Sequence, residues 1–149
     1  MNDQSTTRLS PAAYTFSQLF SSTRLAARLA RLLTAVELHA WDCPRDVSER
    51  AELIVAEPAA NAALHGHVRG RGFRLELAYR AQARSLRIEV TDARGERRPA
   101  AGVPGDGGES GRGLLLVEAF ADRWGSVPYP PGGKTVWAEL SGGPGARST

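Results

Sequence analysis

The sequence predicts an α/β two-layer sandwich, a mixed, largely antiparallel sheet with helices on one face. Three observations predict it. Residues 51–66, AELIVAEPAANAALHG, are an almost unbroken apolar run of helical length, as expected of a buried helix. Phe73, Leu75, Leu77, Tyr79 and Ala81 alternate with Arg74, Glu76, Ala78 and Arg80, the period of a strand with one wet face. Leu86, Ile88 and Val90 repeat that alternation after a short turn at 82–85, so the two strands form an antiparallel hairpin whose apolar face must be covered.

The chain of 149 residues is the size of one domain and can bury roughly two-thirds of its unfolded surface. The domain is placed at 13–140, between flexible tails at 1–12 and 141–149. A single cysteine, Cys43, makes no internal disulfide and has no companion for a metal site, which fits a reducing cytoplasm. The polar start and the lack of about 18 uninterrupted apolar residues predict a soluble protein with no membrane span. Net charge is only +3 and 18 of the 19 basic residues are Arg. No basic stripe with interleaved aromatics occurs, which argues against direct nucleic-acid binding.

In chain order, residues 13–20 predict a first strand with Tyr14, Phe16 and Phe20 at even positions. Ser21, Ser22 or Thr23 caps a helix in which Leu25, Leu29, Leu32, Leu33 and Val36 recur at helical spacing, opposite Arg24, Arg28 and Arg31. This leucine stripe is expected in the core, although the helix could also serve at an interface. The Trp41–Arg45 segment, with Pro44, breaks the chain, and Asp46 and Glu49 have the spacing of a capping box for the apolar helix that Gly66 ends. On that helix Glu57 and Asn61 lie one turn apart on one face. Burying them without partners costs several kcal/mol, so either they satisfy each other and nearby backbone or they line a cavity with a polar occupant. The second reading is adopted.

Beyond the hairpin, one more step of alternation turns Asp92 inward; the alternative is an Asp that folds over to cap the turn at 92–95. Residues 96–111, rich in Gly and Pro, are expected to form a lid. Gly111-Arg112-Gly113 opens a short apolar helix at 114–122, whose free N–H groups would attract an anion. Residues 123–127 and 134–140 make a second hairpin.

Several familiar motifs are absent. Gly133-Lys134-Thr135 ends like a phosphate-binding P-loop, but the earlier Gly is replaced by Pro128 and a strand follows instead of a helix. His39, His65 and His67 form no ligand set with acids. No nucleophile elbow or Cys/His pair points to hydrolysis.

Taken together, Glu57-x-x-x-Asn61-x-x-x-His65-Gly66, the inward Asp92, the lid, Gly111-Arg112-Gly113-Leu114 and Gly133-Lys134-Thr135 occur in one order. In this the chain resembles the ATP-binding fold shared by histidine kinases, gyrase and heat-shock chaperones, the GHKL or Bergerat fold. Its single-domain form and the wording GRGLLLVEAFADRWG most resemble the actinobacterial relatives of anti-sigma-factor serine/threonine kinases. The resemblance implies ATP and Mg²⁺ as cofactors, with Asn61 as the metal ligand and Glu57 as the catalytic acid that orients or deprotonates the attacking hydroxyl. It implies that Asp92 accepts from the adenine amino group and that Thr135 offers a hydroxyl nearby. Gly95, Gly111, Arg112, Gly113 and Leu114 complete the implied nucleotide-binding set.

The implied partners are an anti-anti-sigma antagonist, as phosphoryl acceptor, and a sigma factor. A homodimer is implied too, through the helix at 24–36 and the first strand. Two features depart from the pattern. Asp92-Ala-Arg-Gly95 lacks the usual Asp-x-Gly-x-Gly glycines in register, and Pro58 sits beside Glu57 inside the catalytic helix. They motivate an alternative function, a nucleotide-binding regulator that sequesters a partner without kinase activity.

Overall fold

The computed structural model describes residues 13–65, 72–92, 114–130 and 132–142. In chain order these form β1 (Ala13–Ser21), α1 (Arg24–Ala40), α2 (Arg45–His65), β2 (Gly72–Arg80), β3 (Ser85–Asp92), α3 (Leu115–Phe120), β4 (Arg123–Tyr129) and β5 (Gly133–Ser141). The sheet runs β1-β2-β3-β5-β4, and each of these ladders is antiparallel. The tail expected at 1–12, the lid expected at 96–111 and, of the tail expected at 141–149, residues 143–149 lie outside the described residues, as do Gly66 and the His65 side chain; Ser141 is the last residue of β5. No helix among the described residues is long and apolar enough to cross a membrane.

The expected alternation sets the two faces of the sheet. Phe73, Leu75, Leu77 and Tyr79 on β2, Leu86, Ile88 and Val90 on β3, and Val136, Ala138 and Leu140 on β5 are all buried. They meet α2, whose Val47, Ala51, Ile54, Val55, Ala59 and Ala62 are buried in the same core. The opposite face is polar. There Arg87 pairs with Glu89 and Glu139, each at 2.7 Å, and its guanidinium lies 4.7 Å from the Trp137 ring centroid, a cation–π contact.

The helical hairpin departs from expectation in two places. First, α1 does not bury its leucine stripe. Ala26, Ala30, Thr34 and Leu38 face the core, whereas Leu25, Leu29, Leu32 and Val36 are 44–71% exposed. Small side chains let α1 approach its neighbours closely, and Thr34 satisfies its hydroxyl by donating to the Ala30 carbonyl at 2.8 Å. At 100° per residue the leucines then lie about a third of a turn or more from the core face. Leu33 is the stripe member that still packs against the core.

Between them α1 ends as expected, at the Trp41–Arg45 break, where a Schellman pattern closes it. The Cys43 amide donates to the Leu38 carbonyl at 3.0 Å and the Asp42 amide to the His39 carbonyl at 3.1 Å, with Asp42 in the left-handed region at φ 58°. Second, α2 begins two residues earlier than a capping box with Asp46 as its N-cap would place it. The Ser48 amide donates to the Pro44 carbonyl, and Asp46 falls within the first turn, where its carboxylate is engaged by Arg50 at 3.0 Å. At the start of α1, the cap among the three candidates is Thr23, whose Oγ1 accepts from the Ala26 amide at 3.0 Å.

Candidate functional site

The direction of α2 over the sheet decides where its polar residues fall. Near its start, Arg50 donates to the Ser141 carbonyl at 3.0 Å, and Ser141 is paired with Ser85, where β3 begins. A helix of 21 residues is about 30 Å long, comparable to the strands beneath it. Asn61 therefore lies toward the opposite end of the sandwich, where β3 finishes at Asp92 and β5 starts at Gly133. Glu57 and Asn61 are both half-buried. The helix is continuous through Pro58.

Asp92 is placed on the helix side of the sheet by register. Its neighbours across the ladders are Phe73 on β2 and Lys134 on β5, and directly opposed residues share a face. Phe73 is fully buried and stacks on Phe20 with ring centroids 5.2 Å apart. A half-buried carboxylate thus stands between an aromatic floor and a cation. Asp92 is a partnered side chain.

Glu57 is already engaged. One carboxylate oxygen accepts from the Leu116 amide at 2.6 Å and from the Val117 amide at 3.1 Å, supplying from α2 the cap that Leu114 cannot provide for α3. Burial pushes the Glu57 carboxyl above its ordinary value of 4.5, and the bonds from Val117 and Leu116 pull against that rise. Leu114 itself is buried.

Thr135 is the site residue that the structure places elsewhere. Its hydroxyl lies 2.9 Å from that of Thr91, its opposite number across the β3–β5 ladder, on the face turned away from the helices. The physical reason is the pleat: Val136, Ala138 and Leu140 face the core, so odd-numbered β5 residues point away. The residue facing Asp92 is Lys134, which sequence reasoning passed over, although the same alternation counted back from Val136 identifies it. Gly95, Gly111, Arg112 and Gly113 lie outside the described residues. Arg50, also unforeseen, is 8% exposed and, besides Ser141, donates to the Phe120 carbonyl at 2.9 Å, at the end of α3.

Asn61 is a half-buried amide toward one end of the sandwich, and Asp92 is a half-buried carboxylate at that end, beside Phe73. These groups fit the polar edge of a purine and a metal held partly by phosphate oxygens. The chain matches solved structures, among them the RsbU and RsbW domains of a Mycobacterium tuberculosis protein, with a TM-score of 0.64 at 19% identity over 86% of this chain. It spans only 32% of that polypeptide. The SiaB–SiaC complex from Pseudomonas aeruginosa matches with a TM-score of 0.63 at 12% identity, over 93% of this chain and 98% of that one. No curated protein matches. The model of the histidine kinase-like ATPase domain matches residues 20–140, a span that holds Glu57, Asn61, Asp92 and the glycine boxes together, and the chain therefore belongs to the histidine kinase-like ATPase domain family.

Proposed function

We propose that this protein binds Mg·ATP and acts as an anti-sigma-type regulator, a serine/threonine kinase that phosphorylates an anti-anti-sigma antagonist and alternately holds a sigma factor. The observation that supports it is that α2, which carries Glu57 and Asn61 one turn apart, runs over the sheet toward the end where β3 finishes at Asp92. Bound Mg·ATP would supply the phosphoryl group and the divalent charge that screens it. Asn61 would hold the metal, Asp92 would accept from the adenine amino group, and Glu57 would take the proton of the attacking hydroxyl. The likeness to an RsbW domain and to SiaB in its complex with SiaC supports a protein antagonist as the partner class. The exposed leucine face of α1 supports the homodimer.

A second reading has its own observation. Glu57 caps α3 through Leu116 and Val117, which makes it a strut between two helices and leaves a nucleotide-binding regulator that sequesters its partner without phosphoryl transfer. Radiolabelled ATP, Mg²⁺ and candidate antagonist domains separate the two. Label on a serine or threonine of the antagonist, lost in Glu57→Ala, supports the kinase; ATP binding without transfer supports the regulator. Absence of Mg·ATP binding by calorimetry, or binding unchanged in Asp92→Asn, overturns both.

A further inference from the structure

Lys134 is the lone lysine of a chain with 18 arginines, and nothing in the implied nucleotide set uses it. Its place in the sheet is fixed three ways. It pairs directly with Asp92 across the β3–β5 ladder. It lies two residues before Val136, which is buried on the helix side. The neighbouring pair, Thr91 and Thr135, is joined hydroxyl to hydroxyl at 2.9 Å on the other face. Asp92 and Lys134 therefore project from adjacent strands to the same side, with Cβ atoms about 5 Å apart as for any opposed pair. Lys134 is half-buried, and its partner across the outer ladder is Pro128, which brings no charge. The row Phe73, Asp92, Lys134, Pro128 thus presents one acceptor and one donor side by side, next to an aromatic surface.

From this juxtaposition we infer that Lys134 is a base-reading residue, the second of a pair that recognises the purine edge. Adenine offers an amino donor at C6 and a lone pair on the adjacent ring nitrogen N1. The Asp92 carboxylate accepts from the amino group, and the Lys134 ammonium donates to N1, so that one edge is read by two opposite charges. The Lys134 role replaces the contribution assigned to Thr135, which faces away. It rests on the reading that Asp92 marks the base end of an ATP site.

The test uses the full chain with ATP and with 1-deaza-ATP, in which N1 is a C–H while the amino group is kept. Affinities are measured by calorimetry in the presence of Mg²⁺ for the wild type and for Lys134→Met, which retains the stem and removes the charge. The expected result is that wild type binds ATP roughly 10- to 100-fold more tightly than 1-deaza-ATP, the range for a hydrogen bond to a charged group. In Lys134→Met the two nucleotides should bind within about twofold of each other, with ATP weakened to the 1-deaza level. Equal binding of the two nucleotides by the wild type overturns the Lys134 role while leaving the ATP site intact. A preference for ATP that persists in Lys134→Met also overturns it, since another group must then read N1. Failure of the wild type to bind ATP at all is a different outcome, removing the site and the inference with it. The wild-type comparison needs no variant, so a poorly folded Lys134→Met leaves the inference falsifiable.

Discussion

The Glu57 carboxylate accepts the Leu116 amide at 2.6 Å, and the same oxygen takes the Val117 amide at 3.1 Å. A carboxylate from the long central helix thus sits on the positive end of a helix of only six residues. Helix termini favour opposite charge and need partners for free N–H groups, so this contact ties the start of α3 to α2. Glu57→Ala should lower unfolding stability by about 1 kcal/mol, as for loss of an N-cap, read from urea midpoints at constant m. Glu57→Gln retains an acceptor and should recover part of the loss. The two variants together separate the strut from the chemistry: Gln restores stability, but a side chain that cannot take a proton should not restore phosphoryl transfer.

The same carboxyl supplies a pH dependence. Burial holds it above 4.5, so the folded chain binds that proton more tightly than the unfolded chain. Its contribution to stability is present below 4.5 and is lost as pH rises through the higher folded value. Relative to Glu57→Gln, which does not titrate, the wild type should therefore lose stability as pH is raised from about 4 through the weakly acidic range. A stability difference that is flat across that window, or runs the other way, would contradict the placement of Glu57 in a desolvated contact.

Arg50 holds the other end of α3. It lies seven residues before Glu57, two turns along the same helix, and donates to Phe120 and Ser141 carbonyls while engaging Asp46 at 3.0 Å and approaching Asp122 at 3.7 Å. A carboxylate at the start of α3 and a guanidinium at its end both match the helix dipole. Arg50→Met should destabilise the chain by roughly 2–4 kcal/mol, because two carbonyls lose their donors and Asp46 loses its partner. Arg50→Lys should rescue little, since one ammonium cannot span donors that point to Phe120, Ser141 and Asp46. Urea denaturation of both variants checks this.

Most of the sandwich was legible because its signals are local. Strict alternation through Phe73–Leu77 and Leu86–Val90 set both the strands and the face they bury, and it carried Asp92 to the helix side. Helix α1 was misread for a related reason. Its core face consists of Ala26, Ala30, Thr34 and Leu38, and alanines are poor markers of burial beside a stripe of leucines. The capping of α3 by Glu57 joins residues 59 apart in sequence, and no periodicity reports such a contact. Thr135 entered through the family resemblance alone, whereas the alternation counted back from Val136 turns Lys134 to the helix side and Thr135 away.

Cys43 offers a probe of the helical turn. Its thiol is buried between α1 and α2, and desolvation pushes it up to about 11 from an ordinary 9.0. About a hundredfold less thiolate is then present at neutral pH than for a free thiol. Alkylation by iodoacetamide in native buffer should be slowed at least in that proportion and become fast in denaturant. The sign for folding follows from tighter proton binding in the native state: stability attached to the neutral thiol is retained below 9 and falls as pH rises from about 9 to 11. Rapid labelling of native protein would show that the Schellman turn, with Cys43 donating to Leu38, opens readily.

The exposed residues Leu25, Leu29, Leu32 and Val36 recur at intervals of four, three and four, the seam spacing of helices that pair lengthwise. Four large apolar side chains in one line on a helix form a patch of the kind that usually marks an interface. A twofold pair could use the same seam on both copies, each helix filling the gaps of the other. Leu29→Glu with Leu32→Glu places charge at its centre. Because both side chains are solvent-exposed in the single chain, the double variant should melt within a few degrees of wild type when both are monomeric. Sedimentation velocity over a concentration series should show a wild-type dimer that the double variant abolishes. A wild type that remains monomeric at every concentration removes the homodimer, and a dimer that survives both glutamates places its interface elsewhere.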